Sequence, residues 1–129
     1  MPDPCALLTV DDVEAATGVS FDEGVFNEGL SSEIQGTCEW FSTGEFAFVQ
    51  IVVVGIDSYD SNRASADEIL GVMDVEIPGV SAAYVTTEGS VIGMAMGSSF
   101  LQVSYVPSGP GTVLEETIQL ATIAAANFP

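Results

Sequence analysis

The sequence predicts one α+β domain: helices packed on a mostly antiparallel sheet of about five strands, two layers in all, in the order α-β-β-α-β-β-β-α. Three observations carry this. The chain has 129 residues, the length of one domain over 1–129. Helix-start signals stand at 9–12, 57–62 and 112–115. Between them lie two groups of apolar, strand-like runs, 37–55 and 81–106, broken by glycine-bearing turns.

Taken in order, residues 1–8 are an extended lead-in, opening on Met1-Pro2-Asp3-Pro4. Thr9 is placed as an N-cap with Asp12 at N3, and Leu8 and Val13 as a hydrophobic staple. The helix it starts runs over 10–17 and stops at Gly18, a good C′ residue. Residues 19–36 are rich in Gly, Glu and Ser and read as a loop with one short strand. Residues 37–42 and 46–55 form a hairpin around Thr43-Gly44-Glu45. The second arm is apolar on both alternations, which predicts a central strand buried on both sides.

The cluster Asp57 to Asn62 starts a surface helix over 59–72, with Gly71 near its end. Pro78-Gly79 is a turn. Strands at 81–87, 90–97 and 99–106 follow as a meander, turning at Glu88-Gly89 and Gly97-Ser98. After a break at 107–111, Thr112-Val113-Leu114-Glu115 has the form of a capping box. The last helix, 113–126, carries Leu114, Ile118, Ala121 and Ala125 on one face. All helices are expected on one face of the sheet.

Composition narrows function by exclusion. There is one Arg, no Lys and no His against 19 Asp and Glu, a formal net charge of -18. Such a chain cannot neutralise a phosphate backbone, so nucleic acid is not a partner, and an anionic membrane surface is excluded on the same ground. Without His or Lys there is no histidine triad, proton shuttle or Schiff base. No run is long and apolar enough to span a membrane. The hydrophobic fraction of 47% separates the chain from disordered acidic tails. The acidic coat has two readings that stay open: adaptation to a saline environment, and binding of cations or a basic partner.

Two cysteines stand 33 residues apart, with no Cys-x-x-Cys spacing. Too few soft ligands accompany them for a metal. A structural disulfide between Cys5 and Cys38 is the plain reading, and it implies export. Cys38-Glu39-Trp40 puts Cys38 and Trp40 on one strand face, a core arrangement that also leaves Trp40 as a ligand-facing candidate. Met94 and Met96 share a strand face and are core residues or the lining of an adaptable groove. Asp57, Asp60 and Asn62 are oxygen ligands at short spacing, suited to Ca²⁺, though they do not form an EF-hand loop and equally suit helix capping. Asp11, Asp12 and Glu14 are favoured by the helix dipole. Arg63 is the lone cation, expected to pair with Asp67, or with Tyr59 and Asp60. Carboxylate pairs for glycoside hydrolysis have no specificity among 19 acids.

Taken together, Asp3-Pro4-Cys5-Ala6-Leu7-Leu8-Thr9, Thr17-Gly18, Cys38-x-Trp40, Ile77-Pro78-Gly79-Val80-Ser81-Ala82-Ala83-Tyr84 and the closing Leu114 to Ala124 helix make a pattern. Their order resembles a family of uncharacterised actinobacterial envelope lipoproteins and secreted proteins, across nearly the whole chain. The resemblance implies export behind a leader that is usually lipid-modified, bridged cysteines and no established catalytic residues. The near-absence of Lys and Arg departs from that pattern. The expected function is a non-enzymatic extracellular or cell-envelope binding domain, without cofactor. It would present one sheet face or the 19–36 loop to a protein or small-molecule partner. The alternatives are an acidic cation-binding or structural surface protein and a small carboxylate-dependent hydrolase. An exposed apolar patch of several hundred Å² would mark the first, and clustered carboxylates the second. A concave pocket with unlike carboxyls would mark the third.

Overall fold

In a computed structural model, described over residues 2–109 and 111–129, the chain forms three helices on one fully antiparallel sheet. The sheet has seven strands, and its spatial order is β1-β2-β3-β7-β6-β5-β4. In chain order the elements are α1 (Val10–Thr17), β1 (Val25–Phe26), β2 (Gln35–Phe41), β3 (Phe48–Val54), α2 (Tyr59–Leu70), β4 (Val72–Asp74), β5 (Ala82–Thr86), β6 (Val91–Met96), β7 (Ser99–Val106) and α3 (Leu114–Ala126). Met1, and Pro110 within the expected break at 107–111, lie outside the described residues.

The α+β class holds, but the strand count of about five does not. One added strand, β1, is the short strand expected within 19–36. The other, β4, begins at Val72, the last residue of the helix expected over 59–72, and takes in Met73 and Asp74 after it. That helix stops at Leu70 because Gly71 turns out of helical geometry at φ +77°, and the Gly71 carbonyl accepts from Thr87 N–H at the β5 end. Val72 then pairs with Thr86.

The first helix follows its signals closely. Thr9 Oγ1 accepts from Asp12 N–H at 3.1 Å, and Asp12 Oδ2 accepts from Thr9 N–H at 2.9 Å, a reciprocal capping box. Leu8 and Val13 are both buried in the core, and Gly18 closes the helix in the left-handed region. The box expected at Thr112 does not form. The N-cap of α3 is Val113, with no side-chain cap, and its carbonyl accepts instead from Thr117 N–H and Oγ1. The buried face of α3 is Thr117, Leu120, Ala121, Ala124 and Ala125, rotated from the expected stripe. Leu114 and Ile118 are only partly buried at its margin.

Strand register sorts the side chains. Cys38 and Trp40 of β2 lie beside Ile51 and Val49 of β3, which face Val103 and Tyr105 of β7 and then Ile92 of β6. These residues, with α1 and α3, form the main core. Tyr84 and Phe100 are also buried but point to the other face, since their chain neighbours Ala83, Val85 and Leu101 belong to the main core. There Tyr84 meets Tyr59 of α2, with ring centroids 5.7 Å apart, and stacks on Phe100 at 6.5 Å. Hence α2 covers the second face, over β4, β5 and β6, and the helices do not all share one side as expected.

The expectation that β3 is buried on both faces is corrected by the same geometry. Val49, Ile51 and Val53 are fully buried, whereas Phe48, Gln50, Val52 and Val54 are half-buried and Phe46 is 68% exposed. Among the described residues α2 packs on β4, β5 and β6 and leaves most of the second-face half of β2, β3 and β7 uncovered, though the 27–31 segment buries Thr37 at the β2 edge.

Candidate binding face

The uncovered half-face is built by alternation along three paired strands. Phe41, Phe48 and Val106 align as one row across β2, β3 and β7. Glu39, Gln50 and Ser104 form the next row, then Thr37, Val52 and Gln102. Gln35, Val54 and Phe100 form the last, where Phe100, buried against Tyr84, marks the end of the open face. The Phe41 and Phe48 rings meet tilted at 48°, with centroids 5.3 Å apart. Phe41 and Val106 are each 43% exposed. The half-face is a strip measuring roughly 300 Å² in all, and its accessible apolar part is the Phe41, Phe48 and Val106 row with half-buried Val52 and Val54 beyond a polar row, Thr37, Ser104 and Phe100 being buried.

Glu39 sits in the polar row beside Phe41, Phe48 and Val106 and is held in place. Its Oε1 accepts from Asn27 Nδ2 at 2.9 Å and its Oε2 accepts from Gln50 Nε2 at 2.9 Å. Asn27 is itself fixed, since its Oδ1 accepts from Leu30 N–H and its N–H donates to the Thr37 carbonyl. The 19–36 segment thus folds along the outer edge of β2, and β1 pairs there with Cys38 and Glu39. Among the described residues no cation approaches Glu39. Among these residues the only ion pair is Arg63 Nη2 with Asp74 Oδ1 at 3.0 Å, at the far edge of the sheet. That corrects the expected partner of Arg63. Asp74 reaches it because β4 runs back beside α2, a pairing that helical spacing alone does not contain.

The disulfide joins Cys5 to Cys38, with Cα atoms 5.2 Å apart, tying the lead-in to the middle of β2. Trp40 is 1% exposed, with its ring against Gly24 and beside the bridge. It contributes to the wall of an open groove of about 440 Å³ with Cys5, Leu8, Thr9, Val10, Asp11, Glu23 and Gly24. Met94 is buried in the main core. Met96 is half-buried beside Phe128 at another open groove. Among the described residues no cluster of three or more His, Cys, Asp or Glu side chains is placed to hold a metal, so Asp57, Asp60 and Asn62 do not form one. Asp57 Oδ1 accepts from Tyr59 N–H at 3.3 Å, and Asn62 Nδ2 donates to the Ser58 carbonyl at 2.8 Å, so both act at the start of α2. Asp60 lines a shallow groove with Tyr59, Arg63 and Asp74.

Burial raises the three tyrosines above the usual phenol range, Tyr84 to about 12, with Tyr59 and Tyr105 also raised. Among the described residues no helix is long and apolar enough to cross a membrane. Glu39 escapes sequence reading as a functional residue. Its one signal is that alternation sets it opposite Cys38 and Trp40, on the second face. Compared with family models, with curated proteins and with solved structures, the chain matches none.

Proposed function

We propose that this chain is a non-enzymatic extracellular or cell-envelope domain that binds a partner through the uncovered half-face of its sheet. One observation carries the reading: Phe41 and Val106, each 43% exposed, flank half-buried Phe48 in one open row, with half-buried Val52 and Val54 further along, beside a helix that covers the β4, β5 and β6 part of the same face. Exposing two aromatic rings and a valine side by side in one row opposes solubility, and exposed apolar groups gathered in this way mark places where something docks. The disulfide supports an oxidising compartment, where such bonds persist. The resemblance to exported envelope proteins points the same way, and a leader removed on export, lipidated or not, belongs to this reading.

A photo-crosslinking residue placed at Val52, at Phe48 and, as a control, at the exposed Ile69 of α2 tests the proposal in cells of the source organism. The expected result is one discrete adduct from positions 48 and 52 and none from 69. Adducts of equal yield from all three positions, or none from the strip, would overturn it.

A further inference from the structure

The strip carries a charge that constrains what can cover it. Glu39 lies one row from Phe41 and Phe48 and one row from Val52, with both carboxylate oxygens already oriented by neutral amides. In the uncovered state water completes its solvation. A partner that seals the strip removes that water, and two amide donors do not neutralise the charge. Burying an unpaired carboxylate is strongly unfavourable, whereas burying it against a cation with good geometry is tolerated. This chain cannot supply the cation: its single Arg63 is bonded to Asp74 on the opposite edge.

We infer that the strip docks a polypeptide segment of another protein that presents an Arg or Lys among apolar side chains, the cation seating on Glu39 and the apolar groups on Phe41, Phe48, Val52 and Val106. This rests on the proposed docking role and adds the chemistry of the partner. Three further facts favour it. A second copy of this chain would set Glu39 against another surface of net charge -18, with no free cation to pair it. The same net charge repels anionic surfaces and steers a basic partner toward encounter. And the fork of oxygens held by Asn27 and Gln50 is fixed before binding, which lowers the entropy lost on association.

The test uses synthetic peptides of about 14 residues, long enough for roughly four helical turns. One has leucines on one face with arginines among them, a second has citrulline at every arginine, and a third has serine at every leucine. Backbone amide shifts of the intact protein locate binding, and titration gives affinity at about 0.15 M NaCl, where diffuse attraction is screened. The expected result is that the Arg/Leu peptide shifts amides across β2, β3 and β7, that citrulline weakens binding at least about tenfold, and that Glu39→Gln does the same. Glu115→Gln, which removes an equal charge from an exposed site on α3, leaves affinity unchanged. Circular dichroism of Glu39→Gln matching the parent confirms that the fold is intact.

If the citrulline peptide binds the same strip equally well, or Glu39→Gln weakens binding no more than Glu115→Gln, the cationic requirement is wrong and the docking role stands. Equal binding of the serine peptide means diffuse charge attraction and overturns the inference. Shifts on the strip produced only by phosphatidylcholine vesicles replace the partner class. No shift on the strip with any peptide overturns the docking role as well.

Discussion

Gly93 of β6 lies directly opposite Tyr84 of β5, and the tyrosine ring fills the space a side chain would occupy. A Cβ placed there would overlap the Tyr84 ring. Tyr84 cannot retreat, being 1% exposed and held between Tyr59 and Phe100. Gly93→Ala is therefore expected to lower stability by about 1–3 kcal/mol, the usual cost of overpacking, measured by urea denaturation. An unchanged midpoint would mean that the ring is free to move. The phenol at the same place gives a pH signature. Its folded value is raised to about 12 from the ordinary 10.0 because burial disfavours the charged form. The stability tied to the neutral phenol is complete below the unfolded value and is lost as pH rises toward the folded one. Ultraviolet titration of the native protein should show no tyrosine ionising at its ordinary value, while urea-unfolded protein titrates normally. A native phenol titrating at the ordinary value would contradict the burial.

Two helix starts that look alike in sequence behave differently as elements. Thr9 caps α1 through a reciprocal box, and the matching pattern at Thr112 leaves α3 uncapped by any side chain. Thr9→Ala should cost about 1 kcal/mol, and Thr112→Ala less than about half of that. Thermal melts of the two variants separate them, and equal losses would mean that Thr112 caps after all. The strand β2 is likewise decided by what touches it. Cys38 and Trp40 enter the main core while Glu39 between them faces the open strip. The disulfide anchors that strand to the lead-in, and closing a loop of 33 residues stabilises the fold by roughly 3–4 kcal/mol in the chain-entropy model. At the other edge, Arg63 and Asp74 fasten β4 to α2 through one exposed ion pair, worth little by itself.

At the scale of the whole molecule, 19 acids and one cation share an accessible surface of 6518 Å². One ion pair among the described residues relieves almost none of the repulsion. Monovalent salt should therefore raise the melting temperature, steeply at first and then flattening as the Debye length falls from about 30 Å at 0.01 M to about 3 Å at 1 M. NaCl and CaCl₂ matched in ionic strength should act alike. A large stabilisation by calcium alone, abolished by Asp57→Ala or Asp60→Ala, would establish a specific cation site by mass action on the folded state.

Local chemistry in the sequence determined much of this protein. The Thr9 to Gly18 helix, the hairpin of β2 and β3, the meander of β5, β6 and β7 and the Cys5–Cys38 bridge all depend on residues adjacent in the chain or on the only two cysteines available. Apolar alternation identified the strands but could not say which alternation would be covered. That needed the placement of α2, whose sparse apolar positions do not reveal which face of the sheet it joins. It also needed the pairing of β3 with β7, which puts residues 48–54 beside 100–106. Only then does the second face divide into a half sealed by Tyr59, Tyr84 and Phe100 and a half left open around Glu39. Burial is a property of what lies across a surface, and no local pattern along one strand contains it.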